Sequence, residues 1–195
     1  LDINEDVIIV GQGPGVTIID ADQLDRVFEV AADSKLTLQN LTVTGGSSDR
    51  GGGIYGQGDV VLENVVLQGN ASSADGGGIY AKKKLTVTSS SLVQNTAGGS
   101  GGAIRAPSGS NVILLDSLVA SNTAATSGGG VFSSTGVVED TNVTFSANQA
   151  ATGGAIEASS FAAVTLTNVT IASNLATVQG GGIRYNGGDI AARNT

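Results

Sequence analysis

Gly-Gly-Gly-Ile-Tyr at 51–55 returns at 76–80. Gly101-Gly102-Ala103-Ile104, Gly128-Gly129-Gly130-Val131, Gly153-Gly154-Ala155-Ile156 and Gly180-Gly181-Gly182-Ile183 follow. The units so marked, 51–75, 76–100, 101–127, 128–152 and 153–179, have 25, 25, 27, 25 and 27 residues. Residues 25–50 make one more unit, degenerate at its glycine end. A fixed period in this range specifies a solenoid, in which no unit buries its apolar face without its neighbours.

Aligned on a shared asparagine (Asn70, Asn95, Asn122, Asn148, Asn174), the units resolve into columns. Three residues before it stand Leu67, Leu92, Val119, Phe145 and Ile171, and ten before it Val60, Leu85, Val112, Val138 and Val164. Eight before it the column reads Leu62, Val87, Leu114, Asp140, Leu166, so one carboxylate falls in an apolar file. Within a unit these positions alternate with Thr-rich ones, the period-2 pattern of a half-buried strand. Glycine turns and β-branched content argue against helix. The reading is all-β: a right-handed parallel β-helix with coils of 25–27 residues. One domain covers 1–195, with an irregular first coil at 1–24, six repeat coils at 25–179 and an incomplete last coil at 180–195. A leucine-rich repeat fails because Asn70 is followed by Ala-Ser-Ser-Ala-Asp-Gly-Gly-Gly, which builds no return helix. Calcium-binding nonapeptide repeats fail because no period of nine exists.

Gly-Gly-Ala-Ile at 101–104 and 153–156, with Phe145-Ser146-Ala147-Asn148, resembles the Gly-Gly-Ala-Ile and Phe-x-x-Asn pair of bacterial polymorphic outer-membrane protein repeats. Looser forms are Leu67-x-x-Asn70, Leu92-x-x-Asn95, Val119-x-x-Asn122 and Ile171-x-x-Asn174. The resemblance covers about residues 36–186 and implies a secreted or surface-exposed β-helix serving adhesion or display. The opening segment, with Gly11-Gln12-Gly13-Pro14-Gly15 between Ile-rich strands, is also similar to the first coil of pectinase-like β-helices.

The chain has no Cys and no His, which removes disulfides, thiol nucleophiles, the usual hydrolase triads and most zinc chemistry. A net charge of −8 lacks the basic footprint that nucleic acid or an anionic membrane requires. No run of eighteen apolar residues offers a membrane span. The opening Leu1-Asp2-Ile3 reads as a processed chain or a fragment. The repeats and their resemblance place it outside the cell or on its surface.

Several residues invite a functional reading. The asparagine column could ligate sugars or ions. A second short-polar column, with Asn64, Asn142 and Asn168, lies six residues before it, and residues of this kind recurring coil after coil read as structural ladders at corners. Asp20, Asp22 and Asp25 are the only Ca²⁺ candidates, set against a solvated turn, and no other cofactor is expected. Glu63 and Glu139 point outward three units apart, too far for a hydrolytic pair, and Asp116 belongs to the corner ladder. Lys82-Lys83-Lys84 is the one basic cluster. Tyr55 and Tyr80, in the outward column after the glycines, form the candidate contact patch for a glycan or host-surface ligand. The expectation is a non-enzymatic extracellular structural or adhesive solenoid, stacking end to end as a filament subunit. The alternative is a carbohydrate-binding or polysaccharide-cleaving β-helix.

Overall fold

The computed structural model describes residues 1–195, the side chain of Ser160 apart. The chain winds as a parallel β-solenoid of about seven turns. Three strand faces form one continuous 19-stranded sheet, and a fourth run of short strands makes a separate six-stranded one. The first face stacks Asp2–Ile3, Phe28–Val30, Ile54–Gly56, Ile79–Ala81, Ile104–Ala106 and Val131–Ser133. The second begins at Val7–Val10 and runs through Lys84–Thr88, Asn111–Leu115 and Val137–Thr141, and the third begins at Ile18–Asp20 and ends at Thr170–Ala172. The fourth runs from Ser47–Ser48 to Leu175–Gln179. Two long strands, Ile156–Thr167 and Ile183–Arg193, cross the corner between the first and second faces without a break in strand structure.

The register is the one the columns require. Val60, Leu85, Val112, Val138 and Val164 are partners coil to coil, as are Leu67, Leu92, Val119, Phe145 and Ile171. All but Ile171 are fully buried or nearly so and form one core running the length of the rod. Each face alternates inward and outward because a strand's side chains point to opposite sides, while parallel stacking brings like onto like. The opening coil keeps this register: Val7–Val10 pairs with Leu36–Gln39, and Ile18–Asp20 with Thr42–Thr44. Phe28 occupies the place that Ile54 holds one coil later, so the glycine-poor unit at 25–50 fills the same column.

The glycine motif turns the corner into the first face. Gly101 has φ +73°, a left-handed backbone that glycine enters without a side-chain clash. Gly102 follows with ordinary φ, but a β-carbon there would overlap the carbonyl oxygen of Gly129 in the next coil. The third position is different: Ala103 and Ala155 stand there, both fully buried. Those two coils accommodate alanine, whereas a β-carbon at Gly78 would lie 2.7 Å from the Ala103 carbonyl oxygen. Gly102→Ala should therefore lower stability by about 3 kcal/mol through a backbone clash that cannot rotate away. Ala103→Gly should cost only about 1 kcal/mol, from chain entropy and a lost methyl. Thermal unfolding of the two variants checks the asymmetry; equal losses would refute it.

Candidate functional site

The outward column of the first face is Glu29, Tyr55, Tyr80, Arg105, Phe132, Glu157 and Arg184, each the register partner of the next. Parallel stacking brings Tyr55 and Tyr80 together, ring centroids 5.5 Å apart and tilted by 32°. Three of the cations come from the flanking corners and the fourth, Arg105, from the column itself. Arg26 and Lys82 each lie 4.9 Å from the Tyr55 centroid, Arg50 lies 5.6 Å from that of Tyr80, and Arg105 lies 4.3 Å from that of Phe132. Such pairing draws the positive charge onto the negative face of the ring.

Carboxylates answer some of these charges. Arg26 pairs with Asp49 at 3.0 Å and Glu29 at 3.6 Å, Arg105 with Asp75 at 3.8 Å, and Arg184 with the buried Glu157 at 2.5 Å. Thr152 also donates to Glu157. Burial, reinforced by the Arg50 charge, lowers the Arg105 guanidinium's affinity for its proton, and Asp75 and Tyr80 oppose that shift. Its Nε is buried with no hydrogen-bond partner. Among the described residues, Arg50 and Lys82 have no carboxylate partner. Among the described residues, neither tyrosine hydroxyl has a hydrogen-bond partner. The lysine run splits accordingly: Lys82 turns to Tyr55, Lys83 to Asp33 and the Ala32 carbonyl, and Lys84 opens an exposed strand end.

The two asparagine columns divide the corner work. Asn70, Asn95, Asn122 and Asn148 are buried in the interior. In Asn122, Oδ1 accepts from both the backbone N–H and Nδ2 of Asn95, each at 3.0 Å, while Nδ2 donates to Leu92 O and to Asn148 Oδ1 at 2.9 Å. The same links run on to Asn174. Left-handed backbone at this corner falls one residue earlier, on Gly69, Gln94, Ser121, Ala147 and Ser173. The other column takes the left-handed conformation itself, with φ of 55°, 51°, 55° and 53° at Asn40, Asn64, Asn142 and Asn168. Its amides bond along the surface, Asn64 to Asn40 at 2.8 Å and Asn142 to Asp116 at 2.8 Å. Asp116 is thereby engaged, and Glu63 accepts from Gln39 at 2.6 Å.

Asp20 turns its carboxylate onto the Asp22 N–H at 2.8 Å, and Asp25 onto the Arg26 N–H at 2.7 Å. Among the described residues, no group of three acidic side chains is disposed to hold a cation. Asp140 lies inside, 1% exposed, between Leu114 and Leu166, and neither oxygen has a partner. Burial raises its pKa from the ordinary 3.8 to about 8, so it is protonated at neutral pH.

The sequence columns reached Tyr55 and Tyr80 but missed Arg26 and Arg50, and gave Lys82 only as part of the basic run; all three sit at corners where unit lengths vary. A cation two residues after Tyr80 and another one before the glycines of 51–53 were the available signals.

A family model described as the Chlamydia polymorphic membrane protein (Chlamydia_PMP) repeat matches residues 64–82. That stretch carries Leu67-x-x-Asn70 and the Gly76–Gly78 turn into Ile79, so the match falls on one interior corner and the entry to the first face. No curated protein and no solved structure matches the chain. Among the described residues, no helix is long and apolar enough to cross a membrane.

Proposed function

We propose that this chain is a non-enzymatic, surface-exposed extracellular β-solenoid with a structural and adhesive role, able to extend by end-to-end stacking. The polymorphic membrane protein repeat at 64–82 supports the surface location. The observation that carries the structural role is the buried amide ladder. Polar side chains that could bind a ligand are instead spent joining one coil to the next, from Asn70 to Asn174. The outward carboxylates support a non-catalytic reading in the same way, since Glu63, Asp116 and Glu157 are engaged with neighbours and the exposed Glu139 lies three coils from Glu63.

The stacking arm rests on the terminal strands. Among the described residues, Val7–Val10 and Ile183–Arg193 each pair along one edge, and Ile8, Val10, Val178 and Tyr185 are exposed nearby. Continuing the register would set Asp2 of one copy over Arg184 of another, and Val7 and Ile9 over Ile190 and Ala192. A free strand edge of this kind is a template for pairing. Light scattering across a concentration series, with electron microscopy of the same sample, should show particles lengthening along the rod axis. Ile9→Lys, which places a charge in the junction, should leave short rods. A folded chain that stays monomeric at every concentration refutes the stacking arm and leaves the rigid scaffold standing.

A further inference from the structure

We infer that the ridge formed by Tyr55, Tyr80, Arg50 and Lys82 binds an acidic glycan, a linear saccharide bearing uronate carboxylates. The inference rests on the adhesive part of the function proposed above and gives it a ligand class.

Four features of the ridge narrow the ligand. A neutral sugar held by stacking needs an open aromatic face, and here the faces are occupied. Arg26 and Lys82 lie over Tyr55, and Arg50 and Tyr55 lie against Tyr80. Tyr80 is buried, 8% exposed, and Tyr55 half-buried, so what the ridge offers a ligand is mainly cationic. Arg50 is exposed and Lys82 half-buried, and neither charge is answered by a carboxylate among the described residues. In a chain of net charge −8, two unanswered cations over adjoining tyrosines form a local exception.

The second feature is Arg105, one coil further along the same ridge. Its guanidinium is buried against Phe132, loosely paired with Asp75, and set beside the like charge of Arg50. An incoming carboxylate at Arg50 would relieve that repulsion. Charge-assisted hydrogen bonds from guanidinium and ammonium to carboxylate are the strong kind. The third feature is the pair of tyrosine hydroxyls, which have no hydrogen-bond partner among the described residues and can both donate and accept, as saccharide hydroxyls do.

The fourth excludes the usual peptide mode. Ile54–Gly56 and Ile79–Ala81 are paired on both sides within the sheet, so an extended peptide finds no free edge to join. The ridge is straight because parallel register repeats one position coil after coil, and it suits a linear chain laid along the rod.

The test is binding of hyaluronan oligosaccharides to the full chain, with dextran of matched length and poly-glutamate as comparisons. Wild type should bind hyaluronan and not dextran. Arg50→Ala with Lys82→Ala should weaken binding about tenfold or more. Lys35→Ala with Arg193→Ala, the same charge change off the ridge, should leave it within about twofold. Tyr55→Phe with Tyr80→Phe keeps both rings and every charge and should weaken binding several-fold, which guards against misfolding of the charge variant. Equal losses in the two charge variants, equal binding of dextran, tighter binding of poly-glutamate, or no binding by intact rods would each overturn the inference. The last of these would leave the scaffold reading in place. Loss of the rods themselves would overturn both.

Discussion

Asp140→Val raises the stability of this solenoid, and the gain grows with pH. The carboxyl is buried without a hydrogen-bond partner between Leu114 and Leu166, and Val87 shows that valine fits the same column. Its pKa rises from 3.8 to about 8 on folding, through burial. For an acid raised in this way the folded state holds the proton and the unfolded state releases it. The wild type is therefore unpenalised below about pH 4, loses stability steadily as pH rises to about 8, and levels off above that. At pH 7 the gap corresponds to about 4 kcal/mol at 1.4 kcal/mol per unit, or roughly 10 °C in the midpoint of thermal unfolding for a chain of this size. Asp140→Asn separates the two contributions. It abolishes the slope between pH 4 and 8 but leaves an unsatisfied polar group in the core, so it gains less than valine. Unfolding midpoints of the three proteins from pH 4 to 9 decide the matter. A flat wild-type curve would mean that the carboxylate finds water or a partner in solution.

The same residue shows what the sequence made readable. Asp140 stood out because Leu62, Val87, Leu114 and Leu166 supplied its expected neighbours, and register in a parallel solenoid is a property of columns rather than of any one strand. The core, the register and the asparagine file as a corner ladder were legible for that reason. Legibility failed where the period fails. The corners before and after the first face differ in length from coil to coil, so the reach of Arg26, Arg50 and Lys82 across to the tyrosines had no column to announce it. The unit at 25–50 lacked the glycine motif, yet Phe28 takes the inward position because the burial pattern, not the turn, fixes which way a strand faces. At the other end, the pairing of Ile156–Thr167 with Ile183–Arg193 slips between Ser159 and Ala162 and leaves Phe161 almost fully exposed. A one-residue excess at a corner is invisible to a repeat defined by its glycines and asparagines.

The two asparagine ladders also looked alike in sequence, and substitution should separate them sharply. Asn122→Asp removes the side-chain donor to Leu92 O and Asn148 Oδ1 and sets an oxygen against each instead, while the Asn122 backbone N–H keeps its bond to Asn148 Oδ1 at 3.1 Å. Oδ1 can still accept from Asn95, so the loss isolates the donor half of the amide. The site is fully buried, and no water replaces what is lost. Each orphaned buried group costs about 1–3 kcal/mol, and burial of a carboxylate adds a penalty that grows with pH. A loss of about 4 kcal/mol or more is expected at pH 7. Asn122→Ala should cost nearly as much by stripping both halves, since it also leaves the Asn95 N–H unpaired. Asn64→Asp tests the other ladder. Its backbone is left-handed with φ +51°, which aspartate tolerates, as Asp116 does at +49° two coils along the same ladder. Its side chain faces solvent, and Asn40 can turn its amide to donate. The cost there should stay below about 1 kcal/mol. Chemical denaturation of the three variants measures the contrast. If Asn64→Asp costs as much as Asn122→Asp, both ladders join the coils with equal force and the corner facing water is not the softer one.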